Sequence, residues 1–479
     1  MRRLYIIATL LVVIAAFSNC KKFLDVNTDP NHPLSVPESL VLPPVEVTLS
    51  TNIVGGYNGT VSSYWMQQLS LNQEAPDNET YRILPSDVDN TWSFYLYPNM
   101  MENLYNMINQ AEASKHNQYA AIGKTLMAYA LSVATDFWGD VPYSQDFNIL
   151  KIPKPSYDSQ ESVYGSIQNL LDSAIYYAGQ TPSAVAPSTD DYIYGGNMAN
   201  WTKLAYFLKA RYYLRLSNAP GRTAAVQADS ALTALANGFA SNSDNCFVPY
   251  TGAAGGYSPW YQNTLPGAGG VVLAASFVDS LVARKDPRLS ILADTSELGT
   301  YTGRASGADP ATDPNLYSSV NTFYGGYLPL SPNNFSGAAA NLYLATYSEQ
   351  LFIQAEAKFY TSGATAAMPI YMSAIQAHMN MLGVSSSAQT AYINSKPILT
   401  AKNAIQQIIN EKYVAGFLGI EPYNDWRRTG YPTLALAQNA FVQYIPQRWP
   451  YSTTEILANP QPQQSVSLQT PVWWASGNK

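Results

Sequence analysis

The chain has 479 residues, of which 12% are charged, where an average soluble protein carries about 25%. Its 36 tyrosines, 15 phenylalanines and 9 tryptophans exclude a disordered polymer, and 26 Lys+Arg against 33 Asp+Glu exclude a basic nucleic-acid binder. A polytopic membrane protein needs several long apolar runs, and the sequence has one, at its start.

That start reads Met1-Arg2-Arg3, an apolar run from Leu4 to Phe17, then Ser18-Asn19-Cys20. A basic head, a short apolar stretch and a cut site define a secretory leader over 1–19. A cysteine at the cut point predicts processing before Cys20 and lipid on its new N-terminus. The other cysteine, Cys246, then has no partner for an internal disulfide and is expected to be a buried small hydrophobe. Residues 20–56 carry Pro30, Pro33, Pro37, Pro43 and Pro44, which predicts a tether followed by an extended strap.

From 57 onward the chain reads as a single domain of mainly α class. Helical periodicity predicts helices over 61–74, 90–114, 117–137, 159–178, 199–218 and 222–238. In 199–218, Trp201, Leu204, Leu208, Tyr212 and Leu216 form the apolar stripe, with Lys203, Lys209, Arg211 and Arg215 on the other faces. Residues 241–340 turn rich in Gly, Asn, Ser, Pro and aromatics, with one short helix near 272–284 and some short strands expected. So long an irregular stretch in a helical protein points to function. Helices resume over 343–362, 366–382 and 400–417, and 418–479 closes the chain irregularly. The pairs 117–137 with 159–178, 199–218 with 222–238, and 343–362 with 366–382 suggest tetratricopeptide-like units stacked into an α–α superhelix, since stacked pairs bury faces that single pairs leave open.

Catalytic signatures are sparse. The three histidines, His32, His116 and His378, lie far apart in sequence, and no H-E-x-x-H or G-x-S-x-G is present. Gly123-Lys124-Thr125 resembles the end of a phosphate loop but falls inside a predicted helix, and Gly267-Ala268-Gly269-Gly270 lacks a surrounding βαβ pattern. The loop with Asp309, Asp313 and Asn315 has acids but no EF-hand register, so a structural Ca²⁺ is unsupported and no metal or other cofactor is expected.

Several segments together resemble one family. They are Cys20-Lys-Lys-Phe-Leu-Asp-Val-Asn-Thr-Asp-Pro-Asn-His-Pro33; Thr135-Asp-Phe-Trp-Gly-Asp-Val-Pro-Tyr143; Tyr347-Ser-Glu-Gln-Leu-Phe-Ile-Gln-Ala-Glu-Ala357; Asn410-Glu-Lys-Tyr413 with Asn424-Asp-Trp-Arg-Arg-Thr-Gly-Tyr-Pro432; and the block from Arg448 to Asn459. In this order they resemble the SusD/RagB-like nutrient-binding lipoproteins, in particular the second SusD-like subfamily. The resemblance implies a non-catalytic lipoprotein of a Bacteroidota-type outer membrane, anchored through Cys20 and facing the cell surface. It implies capture of oligosaccharides for a SusC-like TonB-dependent transporter, with no nucleic-acid partner. A peptide-capturing homologue is the alternative, and a secreted glycoside hydrolase a more distant one.

Within these motifs Gly139 and Pro142 are expected to shape a turn, and Arg427 and Arg428 to be paired, with Glu411 and Asp425 as candidate partners. Ligand contacts are expected where the chain is irregular and aromatic, because flat rings cover the apolar faces of sugars while amides and guanidinium groups address their hydroxyls. The candidates are Tyr250, Tyr257, Trp260, Tyr261 and Asn263 in one loop, and Tyr324 and Tyr327 around Gly325-Gly326. Arg82, Trp92 and Tyr95 join them where the resemblance places contacts ahead of the first long helix. Trp260 is expected to be an exposed stacking platform.

Overall fold

The computed structural model describes residues 36–148, 150–264, 270–321 and 337–477. The leader, Cys20, Tyr324 and Tyr327 lie outside them. Helix α1 (Glu38–Val47) runs directly into a π-helical stretch, Thr48–Val54. The prolines predict an extended strap here, yet Pro43 and Pro44 sit inside the helix. Leu42, Val45, Leu49 and Ile53 make a fully buried stripe at helical spacing. Burying that stripe outweighs the amide hydrogen bonds that two prolines forgo.

Helix α2 (Tyr57–Trp65) ends earlier than the period predicts. Gln67 takes a left-handed φ of 53°, and the chain leaves as strand β1 (Leu69–Leu71). A second π-helical stretch, Thr91–Glu102, leads into α3 (Asn103–Ser114), and α4 (Asn117–Trp138) follows as the central rod. Gly123 lies inside α4, as the reading of its false phosphate-loop match requires, and a Cβ there would come within 2.8 Å of Ile108. At the exit of α4, Gly139 has φ +90°, and the guanidinium of Arg448 occupies the space a side chain would need. Pro142 then lies in β2 (Val141–Pro142), which pairs antiparallel with β3 (Tyr157–Asp158).

Helices α5 (Gln160–Ala178), α6 (Met198–Arg215) and α7 (Ala224–Leu235) are capped by the side chains of Ser159, Asn197 and Thr223. The irregular region holds β4 (Cys246–Val248), α8 (Pro259–Thr264), β5 (Val271–Leu273), α9 (Ala275–Ala283) and α10 (Leu289–Leu292). Strand β6 (Leu342–Ala345) precedes α11 (Tyr347–Ser362), α12 (Ala364–Met381), α13 (Ser386–Asn394) and α14 (Ala404–Ala415). The closing segment adds α15 (Glu421–Thr429) and α16 (Thr453–Ala458), neither of which the periodicity predicts.

The three predicted pairs form: α4 packs on α5, α6 on α7 and α11 on α12. They also stack, α5 against α6 and α7 against α11, so the fold is a helical superhelix. Two-stranded ladders join distant chain to it: β1 pairs with β5, and β4 with β6. Cys246 is buried as expected, and burial raises its thiol far above the usual range.

The motif arginines are structural. Arg428 pairs with Glu356 and with Asp425, the latter at 3.0 Å. Arg427 donates instead to the carbonyls of Asp136 and Gln447 and to Asn424 Oδ1. Glu411 serves neither arginine. It binds Arg284, Arg288 and Lys396 at 3.0, 2.5 and 2.9 Å, because α14 turns that face toward α9 and α10.

Candidate ligand-binding cleft

An open cleft of about 470 Å³ lies where the irregular region meets the N-terminal helices. Its floor is the junction between the π-helical stretch and α2. Gly55 is forced there, since a Cβ would strike Leu342 at 2.4 Å and Pro259 at 2.5 Å. One wall is α2 with Tyr57, Thr60 and Tyr64; the other is α8 with Pro259, Gln262 and Asn263; Asn78 closes one end.

The 250–263 loop is tied onto that floor at two points. Tyr250 Oη shares hydrogen bonds with Ser50 Oγ at 2.8 Å and Thr51 Oγ1 at 2.7 Å. Asn263 Nδ2 donates to the Gly55 carbonyl at 3.1 Å. Within the loop, the rings of Tyr257 and Tyr261 lie 5.2 Å apart, and Gln262 Nε2 donates to the Tyr257 carbonyl. Across the cleft, Tyr57 Oη donates to Asn78 Oδ1 at 3.1 Å. Burial and the nearby Asp87 raise the Tyr57 phenol well above its ordinary range, so it stays a neutral donor. These bonds engage Asn78 Oδ1, Asn263 Nδ2 and Gln262 Nε2, so that three side-chain amides line the cleft beside Tyr57 and Tyr64, each with its second polar atom still available. Such an arrangement grips polar neutral groups and stacks flat apolar faces without chemistry of its own.

The sequence candidates divide. Tyr250, Tyr257, Tyr261 and Asn263 gather on this loop, half-buried, but of the four only Asn263 lines the cleft; Tyr250 anchors the loop to Ser50 and Thr51, and Tyr257 and Tyr261 pack on each other. Trp260 does not behave as an exposed platform: it is 4% exposed and packs toward Gly59 in the core. The loop between β4 and α8 folds inward at Ser258-Pro259-Trp260, all buried, with Ser258 N bonded to the Ala338 carbonyl. Trp92 is also a core residue, 3% exposed and edge-on to Trp138 at 5.1 Å. It borders a different hollow of about 330 Å³, shared with Ser93, Tyr97, Asp146, Phe147 and Glu455. A row of edge-to-face rings, Trp92–Trp138–Trp449–Tyr57, runs between that hollow and the first cleft. Tyr95 is half-buried beside the exposed Phe94, and Arg82 is half-buried; neither lines the cleft among the described residues.

Sequence reasoning missed Tyr57, Thr60, Asn78 and Gln262. The signal for Tyr57 was the Gly55-Gly56-Tyr57-Asn58-Gly59 run, of the same Gly–Tyr–Asn composition as the 250–263 loop. Gln262 lies between two named candidates. Asn78 carried no signal, since its role comes from a bond to a ring 21 residues away.

The fold is shared with solved structures that are 20–22% identical. A chitin-binding SusD homologue from Flavobacterium johnsoniae superposes with a TM-score of 0.77 at 20% identity, over 91% of this chain and 98% of that one. A SusD/RagB family protein from Bacteroides thetaiotaomicron gives 0.75 at 22%, over 93% and 100%. A SusD homologue from Bacteroides fragilis gives 0.74 at 21%, over 92% and 100%. No curated protein matches in sequence. The model of the second SusD-like family, described as starch-binding and associating with the outer membrane, matches residues 30–452. With its stacked helix pairs, its ring-and-amide cleft and that match over most of its length, the chain belongs to the SusD-like family of outer-membrane nutrient-binding proteins.

Proposed function

We propose that this protein captures oligosaccharides at the outer membrane and hands them to a SusC-like TonB-dependent transporter, binding without turnover. The observation that carries the reading is the cleft between α2 and α8: tyrosine rings beside amide atoms with hydrogen-bonding capacity to spare. Family membership supports it, as do the chitin-binding proteins among its structural neighbours. Hydrolysis of glycosides uses two carboxylates flanking the bond. Among the described residues the cleft wall supplies hydroxyls, amides and phenols, which suit holding rather than cutting.

The test is retention of oligosaccharides on the purified protein, with product analysis. Binding of an intact glycan that is recovered unshortened supports capture. Release of reducing ends, abolished by a single acid-to-amide substitution, defeats it. Co-purification of a large β-barrel protein with the membrane-extracted chain tests the transporter partnership. Retention of oligopeptides in place of glycans would establish the peptide-binding alternative.

A further inference from the structure

Three stretches of this chain carry no Asp, Glu, Lys, Arg or His: 27 residues from Val47 to Gln73, 34 from Asn245 to Val278, and 35 from Pro314 to Ser348. The fold joins all three. Strand β1 of the first pairs with β5 of the second, and β4 of the second pairs with β6 of the third. Tyr250 of the second is bonded to Ser50 and Thr51 of the first, and Asn263 to the Gly55 carbonyl. Ser258 N donates to the Ala338 carbonyl of the third. The cleft opens at this junction, and ten of its eleven described lining residues come from the first two stretches; the other is Asn78, also uncharged.

We infer that the cleft selects a neutral polyhydroxylated chain, an oligosaccharide without uronic acid or sulfate, and that its uncharged lining is what sets this preference. The inference rests on the capture reading above and narrows its ligand class. A charged ligand entering the cleft would shed water and find no opposite charge on the described walls to replace it. The charges that act on the wall phenols are carboxylates: Asp87 on Tyr57, and Glu79 and Asp77 on Tyr64, Glu79 being itself paired with Arg304. They disfavour an anion further. A sugar hydroxyl both donates and accepts, so it matches Asn78 Nδ2 on one side and Asn263 Oδ1 or Gln262 Oε1 on the other.

The experiment titrates the full chain with malto-, cello-, xylo- and chito-oligosaccharides, with oligogalacturonides and heparin fragments, and with mixed oligopeptides, each at low and at physiological salt. The expected result is binding of a neutral series with less than about twofold change with salt, since no ion pair is screened. The exposed Gln262 is changed to Glu and to Lys, and both variants are expected to bind that ligand about tenfold more weakly, the scale of one lost hydrogen bond plus a desolvated charge. Salt-sensitive binding of oligogalacturonide or heparin, weakened by Gln262→Glu and strengthened by Gln262→Lys, overturns the neutral preference and leaves glycan capture standing. Binding of peptides alone overturns both.

Discussion

Arg428 on α15 grips Glu356 on α11 as a two-pronged pair, Nη2 to Oε2 at 2.8 Å, with the second prong between Nη1 and Oε1. Glu356 is fully buried and Arg428 is 6% exposed. Asp425 and Ser217 supply the remaining acceptors. The pair bolts the closing segment to the last helix pair of the superhelix. Glu356→Ala is therefore expected to destabilise by about 3–5 kcal/mol, because it strands a buried guanidinium. The double change Glu356→Leu with Arg428→Met is expected to cost much less, which urea denaturation of the two variants decides.

Acid sensitivity should begin at the same corner. Burial alone would raise the Asp425 carboxyl, but Lys412 at 2.8 Å and Arg428 hold it down at about 2. Its folded value lies below its unfolded one, so its contribution is fully present above about pH 4 and is lost as pH falls through about 2. Asp425→Asn should lower stability at pH 7 and flatten its decline between those limits. A parallel decline in both proteins would remove Asp425 from the account.

The opposite sign holds at Glu46. Desolvation and the adjacent Asp191 raise its carboxyl well above the ordinary range. Asp191 already accepts from the amides of Ile193, Tyr194 and Gly196 and from the Trp201 indole, whereas Glu46 Oε1 has no donor. The proton of the pair therefore sits on Glu46, whose Oε2 takes the Tyr192 amide. Because the folded state holds this proton and the unfolded state releases it, stability falls as pH rises from the ordinary carboxylate range toward the folded value. Glu46→Gln keeps the donor without the ionisation. It is expected to raise the melting temperature at pH 8 and to give no gain at pH 4.

Trp260 and Gln262, two residues apart, should separate folding from binding. Trp260→Ala removes a buried ring and is expected to cost about 3–5 kcal/mol of stability. Gln262→Ala touches an exposed side chain and should leave the melting temperature unchanged while weakening ligand retention. Thermal melts beside glycan titrations check both.

Cys20→Ala is expected to abolish acylation and release the protein from the membrane fraction. Unchanged labelling by a radioactive fatty acid would place the anchor elsewhere.

Much of the scaffold was legible in the sequence because it rests on local periodicity. The stripe Trp201, Leu204, Leu208, Tyr212 and the caps Ser159, Asn197, Thr223 and Thr346 are written in consecutive residues, and the three helix pairs follow from them. The motif arginines announced that they would be paired, since a buried guanidinium is seldom left alone. Of their partners, Asp425 was legible, three residues before Arg428, and Glu356 was not: Glu356 and Glu411 are both helical acids, and only the rotation of α11 and α14 decides which faces Arg428.

The same division holds for the cleft. Composition alone established that the chain is poor in charge and rich in rings; it pointed to the irregular middle, whereas most of the described cleft lining comes from residues 51–78. Whether a given ring faces solvent or core depends on which way a loop folds, and loops carry no period. Trp260 therefore turned inward against Gly59, while Tyr57, the first residue after the segment read as a strap, became a wall. The low charge, spread thinly along the sequence, becomes a local property only when β1–β5 and β4–β6 draw three distant uncharged stretches together. Long-range strand pairing makes that junction, and it lies beyond the reach of any window of sequence.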